Sequence, residues 1–276
     1  DGIRDVERSR GLGDVYKRQI KSWLDTKLSE LNEVNPGIFI GGVKDQSFKF
    51  PIWLFEYNNN LYIGAEEKIH KSILDLVDRF NTQMIFSQFG MYEISRITHP
   101  LGYYVWGPSW FMFTEKESWI NFNDYKIEIL SNEEIKNQLD EKIFWHNSYD
   151  CLKGFVIKDH GKIVASATLH DVGGNFVEIG LDTHPDSQLK GLGTNVYSAA
   201  GKWAFENNKI PYSSVGPWNI PSTRTQLKCG MKCIGVDMVG IDKFRLPPQP
   251  LGSPSNDIEI YDYYPSWAFN KNIHKK

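Results

Sequence analysis

The stretch FVEIGLDTHPDSQLKGLGTNVYSAAGKWAFENN, residues 176–208, constrains the fold more than any other part of the chain. An alternating apolar run reads as a strand. It leads into Gln188-Leu189-Lys190-Gly191-Leu192-Gly193, a short turn with two glycines, and then into a long amphipathic helix. A strand that feeds a helix through a glycine turn sets the helix start beside the strand end. There the free N–H groups of the first turn converge, and the helix dipole favours an anion. The turn is not followed by Lys-Ser or Lys-Thr, which excludes a nucleotide P-loop. Nor does it have the G-x-G-x-x-G spacing of dinucleotide folds.

The same six-residue pattern occurs earlier, as Arg8-Ser9-Arg10-Gly11-Leu12-Gly13, with no strand before it and no helix after it. Residues 1–19, DGIRDVERSRGLGDVYKRQ, resemble the translation of a sequencing-library adapter. They are set aside as a non-native, disordered leader, and the native N-terminus is expected to lie elsewhere.

Without the leader the net charge goes from −3 to −4. A mildly acidic chain is a poor general binder of nucleic acid or anionic membranes, and neither is expected as a partner. No apolar run reaches the roughly 18–20 residues of a membrane span. Cys151, Cys229 and Cys233 are scattered. They form neither a disulfide framework nor a four-ligand zinc site, which points to a reducing cytoplasm and to no metal.

Residues 20–123 read as a smaller α+β domain. A helix is expected over 20–34, where Ile20, Trp23, Leu24, Leu28 and Leu31 fall at helical spacing, and Asn35-Pro36-Gly37 stops it. PIWLFEY and LYIGA read as a hairpin, KIHKSILDLVDRF as a helix, and residues 103–113 as an aromatic strand pair broken at Gly107-Pro108. From about residue 124 the order is strand, helices, three strands, helix, strand, helix, strand. Ser131-x-x-Glu134 forms a capping box and His160-Gly161 turns a hairpin. Residues 246–276 are a Pro-rich, then aromatic tail expected to pack back on the body.

Downstream, Asn219 to Met231 reads NIPSTRTQLKCGM, with Asn219, Ser222, Lys228 and Gly230 in the register of N-x-x-[AS]-x-x-x-Y-x-K-x-G. With Thr183-x-Pro185 before Gln188, residues 124–245 resemble the GNAT superfamily of acetyl-CoA-dependent N-acyltransferases. The resemblance implies an α+β, mixed α/β fold with a central mixed sheet. It also implies acetyl transfer to a primary amine of a small molecule or peptide, with acetyl-CoA as co-substrate. By position, Leu181 and Thr183 would pair with the pantetheine arm through their backbone. Gln188, Leu189, Lys190, Gly191, Leu192, Gly193 and Thr194 would hold the pyrophosphate. Asn219, with Ser222 beside it, would serve the arm, although Asn219 also reads as a helix cap. Lys228 and Gly230 read as structural.

Glu178 and Asp182, four residues apart on the strand, are the candidate catalytic bases. Glu178 lies about one position from the family's place, which a bulge would correct. His170 and His184 are further candidates that read more simply as surface-loop histidines, and His146 with Trp145 reads as packing. The family's usual acid is a Tyr where this chain has Gln226, and an amide has no titratable proton near neutral pH. Cys229 and Tyr212 are near in sequence but outside that slot. Three readings follow: an active acetyltransferase, a CoA-binding protein without efficient catalysis and with a sensing role, and a plain interaction module. The first-half domain carries no comparable loop, and reads as a degenerate lobe of the same kind or as a cover for the substrate. Oligomeric state, a homodimer included, stays open.

Overall fold

The computed structural model describes residues 19–44, 51–188 and 190–246. Residues 1–18 of the expected leader and nearly all of the expected tail lie outside these, as does Leu189 in the glycine loop. Gln19 is already helical, and helix α1 runs over residues 19–27. Its apolar residues Ile20, Trp23 and Leu24 are all buried.

The helix expected over 20–34 therefore ends early. Leu28–Asn35 is strand β1, paired antiparallel with β2 (Ile38–Val43) around Pro36 and Gly37. Gly37 takes the left-handed φ of 75° that the turn needs. Beyond Leu28 the apolar positions of this stretch bury little, so helical spacing has no core to serve and backbone pairing with β2 decides.

Strands β3 (Ile52–Tyr57) and β4 (Asn60–Ala65) form the expected hairpin, and helix α2 (Glu67–Arg79) follows with Ile69, Ile73 and Leu76 buried. After α3 (Thr82–Ile85) and α4 (Gln88–Thr98) comes β5, Tyr104–Phe113. Two short strands were expected here, but β5 is one ten-residue strand. The Gly107–Pro108 peptide bond is cis, and the pairing with its neighbour shifts register close by.

The second half adds β6 (Glu128–Leu130), α5 (Asn132–Gln138), β7 (Lys153–Asp159), β8 (Lys162–Asp171) and β9 (Phe176–Thr183). Then come α6 (Leu192–Glu206), β10 (Ile210–Val215), α7 (Ile220–Lys228) and β11 (Lys232–Ile241). The Ser131–Glu134 capping box is formed in full, and His160 and Gly161 both take positive φ at the β7–β8 turn.

All eleven strands join one mixed sheet in the order β1-β2-β4-β3-β11-β5-β10-β9-β8-β7-β6. Only β2–β4 and β9–β10 are parallel. Strand β5 enters between β10 and β11, antiparallel to both, so the sheet runs unbroken through the boundary expected near residue 124. On one face, α6 covers Ala165, Ala167, Val177 and Ile179, while α2 and α4 pack with the Ile52–Leu54–Ile63 group. On the other face, Trp23 of α1 touches Trp53, Phe55, Phe111, Phe176 and Tyr212, rings from four different strands.

Residues 116–124 seat α6. Trp119 lies directly on Gly201, where a Cβ would overlap the indole, and its Nε1 donates to the Ser198 carbonyl at 3.0 Å. Asn195 of α6 accepts from the Asp124 N–H at 2.9 Å. Among the described residues no helix is long and apolar enough to cross a membrane.

Asp237 sits in the middle of the sheet, 7% exposed, accepting from Trp53 Nε1 at 3.3 Å and from Ser214 Oγ at 3.2 Å. Burial lifts its carboxyl to about 7, against the two hydrogen bonds. A raised acid stabilises the fold fully below the unfolded value near 3.8, and that contribution is lost as pH rises to about 7. Asp237→Asn should therefore flatten the pH profile of unfolding free energy over this window. Above pH 7 it should be the more stable protein, by up to about 4 kcal/mol, as read by urea melts at pH 5 and pH 8.

Candidate functional site

Strands β9 and β10 pair only at Ile210–Phe176, Pro211–Val177 and Tyr212–Glu178. Past that point both continue, β9 to Thr183 and β10 to Val215, without pairing. The backbone alternation fixes which groups face the opening. Phe176 and His184 bond toward β8, and Asn175 bonds toward β10. Odd-numbered peptide groups of β9 therefore point to β10, so those of Leu181 and Thr183 face the gap.

The glycine loop closes the wide end of this gap. Gly191 is the N-cap of α6 at φ 76°, and no side chain caps the helix. The N–H groups of Leu192, Gly193 and Thr194 are thus left to a ligand or solvent. An added Cβ on Gly191 would meet open space, so its backbone conformation is what calls for glycine. At Gly193 the Cβ would stand 3.1 Å from Thr183 Oγ1 and 3.7 Å from Leu181, so this glycine makes room for β9. Gln188 and Lys190 are exposed, while the side chains of Leu192 and Thr194 are buried. The Lys190 carbonyl accepts from the Tyr125 hydroxyl at 2.7 Å, which holds the loop from outside.

Helix α7 flanks α6. Asn219 caps it, accepting from the Ser222 N–H at 3.3 Å, and its Nδ2 makes no hydrogen bond among the described residues. Gln226 is 3% exposed; its Nε2 donates to Ser222 Oγ at 3.1 Å, and its Oε1 has no partner. Cys229 lies one turn further along, with its thiol 3.8 Å from the Thr194 carbonyl; burial pushes that thiol up to about 12, so it is a poor proton donor. Gly230 takes φ 90° against the Ser118 carbonyl.

The opposite face of β9 carries Glu178, Gly180 and Asp182. Pairing with β8 runs from Val177 to Thr183 without a register shift, so no bulge moves Glu178. Glu178 is half-buried and makes no hydrogen bond among the described residues; burial raises its carboxyl, with His170 and Lys27 pulling the other way. Asp182 is engaged instead with the loop after α5. Its Oδ1 is 2.6 Å from His146 Nδ1, and its Oδ2 accepts from the His146 N–H at 2.7 Å and from Asn147 Nδ2 at 3.0 Å.

Neighbouring contacts complete the dock. Asn147 Oδ1 accepts from Ser166, Thr168 Oγ1 accepts from the Ser148 N–H, and His170 pairs with Ser148. Gly180 lets the loop lie flat, since a Cβ there would overlap the His146 carbonyl oxygen. The packing role expected for His146 omits this pairing: the two partners are 36 residues apart, and only the spacing within the WHNS run is visible in sequence. His184 caps the short turn Pro185–Ser187. Among the described residues no group of three or more His, Cys, Asp or Glu could hold a metal ion.

Residues 117–231 match the family model of acetyltransferases (GNAT). No curated protein matches the chain. Solved structures similar to it include a GCN5-related N-acetyltransferase from Kribbella flavida, 16% identical, covering 53% of this chain and 62% of that one with a TM-score of 0.42. The chain therefore spans less than two thirds of that protein. A GCN5-related N-acetyltransferase-like protein from Streptococcus suis is 12% identical, with 78% and 89% covered and a TM-score of 0.44. A protein from Salmonella typhimurium, solved with its cofactor acetyl-CoA, is 14% identical, with 46% and 99% covered and a TM-score of 0.33.

Asp182 holds the loop over β9 at three points. Asp182→Ala should cost about 2–4 kcal/mol, the range for breaking a buried charged network, and should speed amide hydrogen exchange at His146 and Ser148. Unchanged protection at those amides would show the loop to be held by other contacts.

Proposed function

Residues 117–231 belong to the GNAT family, and from that premise we propose that the chain transfers an acetyl group from acetyl-CoA to a primary amine of a small molecule or peptide. The observation that carries this reading is the parting of β9 and β10 in front of an uncapped helix start. Exposed strand peptides suit an extended diamide such as pantetheine, and free helix N–H groups suit a diphosphate. Leu181 and Thr183 would bind the arm, Gln188 through Thr194 the pyrophosphate, and Asn219 the arm again through its unused Nδ2.

Acetyl-CoA, when bound, supplies a thioester at the closed end of the gap. There the Glu178 side chain, which makes no hydrogen bond among the described residues, can accept one from the incoming amine. The amine must then be made neutral, and the leaving thiolate must gain a proton. Gln226 has no titratable proton to give, and Cys229 holds its own too tightly. Bulk water can serve as the donor, because the leaving thiolate has a conjugate thiol that titrates at about 8.5, as a free cysteine does. A cytoplasmic location is supported by three cysteines, all unpaired.

A second reading, CoA binding without efficient turnover, is favoured by the buried amide of Gln226 in the place of an acid. Calorimetry with CoA and acetyl-CoA turnover against an amine panel separate the two. We expect binding and turnover in the native chain. Gln188→Ala/Gly191→Trp should weaken binding about tenfold or more, which is ~1.4 kcal/mol. Glu178→Gln should raise KM for a cationic acceptor more than it lowers kcat. Absence of CoA binding would overturn both readings, and binding with no turnover on any amine would select the second.

A further inference from the structure

We propose that His146 is the base that removes the proton from the acceptor amine, with Asp182 as its positioning residue. The assignment rests on the acetyl transfer proposed above. Asp182 cannot readily do this itself. It is 9% exposed, and its two oxygens already accept from the His146 N–H and Asn147 Nδ2 and face His146 Nδ1. Three such contacts occupy its lone pairs.

The same contacts fix the imidazole. An ionised carboxylate only accepts, so the ring nitrogen 2.6 Å from it must carry a hydrogen. In the neutral ring Nε2 is then the acceptor, and it makes no hydrogen bond among the described residues. This is the arrangement in which a buried carboxylate orients a histidine for general-base work.

The placement suits an acceptor. Helix α6 packs on one face of the sheet beside the gap, so an acceptor must come from the other. On that other face the His146 carbonyl lies over Gly180, between Glu178 and Asp182 on β9. His146 is 38% exposed, so a proton can pass on to water. Trp145, 68% exposed, lays its ring against the imidazole at 3.5 Å between centroids, forming a wall for an alkylamine chain. The titratable groups near the imidazole are Asp182 on β9, in direct contact, His170 on β8 behind Ser148, and Asp140, Glu141, Lys142, Tyr149 and Asp150 along its own loop. Glu178 lies beyond Gly180.

In the step itself, the ammonium N–H bond breaks and the proton goes to Nε2. The freed lone pair on nitrogen forms the C–N bond at the thioester carbonyl. The nitrogen then gives its second proton to solvent as the C–S bond breaks, and the thiolate takes a proton from solvent. Asp182 stabilises the imidazolium until it loses its proton to solvent.

His146→Asn is the informative variant, because its amide can still donate to Asp182 while Nε2 is gone. With an amine from the panel, the native enzyme should show an ascending limb in kcat/KM against pH. His146→Asn should lower kcat about 100-fold or more, lose that limb, and regain part of the rate on addition of imidazole, with CoA affinity by calorimetry unchanged. Asp182→Asn should lower kcat more than it raises KM, and should add little to the loss already seen in His146→Asn. Should His146→Asn fail to bind CoA, His146→Gln takes its place. Retention of the native limb and rate in the His146 variant that binds CoA, or loss of the limb in Glu178→Gln alone, would overturn the assignment. If the native chain acetylates no amine, the acetyl-transfer reading falls first, and this assignment with it.

Discussion

The candidate site depends on how β10 is held. On one side, Tyr212 to Val215 pair residue for residue with Phe113 to Trp110 of β5. On the other side, pairing with β9 stops at Tyr212. A strand takes its course from the neighbour with which it shares more hydrogen bonds. Strand β10 therefore follows β5 and leaves β9. The gap that exposes Leu181 and Thr183 is a product of the first half of the chain as much as of the second, because β5 comes from residues 104–113. The aromatic cluster around Trp23 fixes the same junction from above, touching rings on β3, β5, β9 and β10.

Much of this was legible in sequence where local chemistry sets local structure. The glycine turn, the capping box at Ser131 and the Asn219 cap fall where propensity and capping rules put them. The strands of the second half follow their apolar alternation. What was not legible was long-range. The run at 20–34 has helical spacing, yet from Leu28 onward the hydrogen bonds of β2 outweigh it. At Gly193 a Cβ would crowd Thr183 Oγ1 at 3.1 Å, a contact across to β9 that the spacing of the glycines does not reveal. The meeting of His146 and Asp182 needs the strand face and the loop path together, and a single sequence gives neither.

The two faces of the sheet divide the work. Under α6 the contacts are apolar, with Ala165, Ala167, Leu169, Val177 and Ile179 closed to solvent. Opposite, alternate positions of the same strands include Ser166, Thr168, His170 and Asp182, joined to a polar loop. Period-two alternation thus lays a hydrogen-bonding surface on the back of a hydrophobic one. That surface is specific where an apolar one would be permissive, because each of its groups needs a partner.

The position of β5 also bears on how the chain can be divided. The family match, residues 117–231, leaves out both β5 and β11. A fragment cut to those bounds would end its sheet at β10, with a row of N–H and C=O groups that β5 now covers. Open edges of that kind pair with other chains. Recombination or expression at the family boundary would therefore yield a sticky half-sheet. The smallest inheritable unit is larger than the recognisable one, and begins no later than the strand that arrives from the first half.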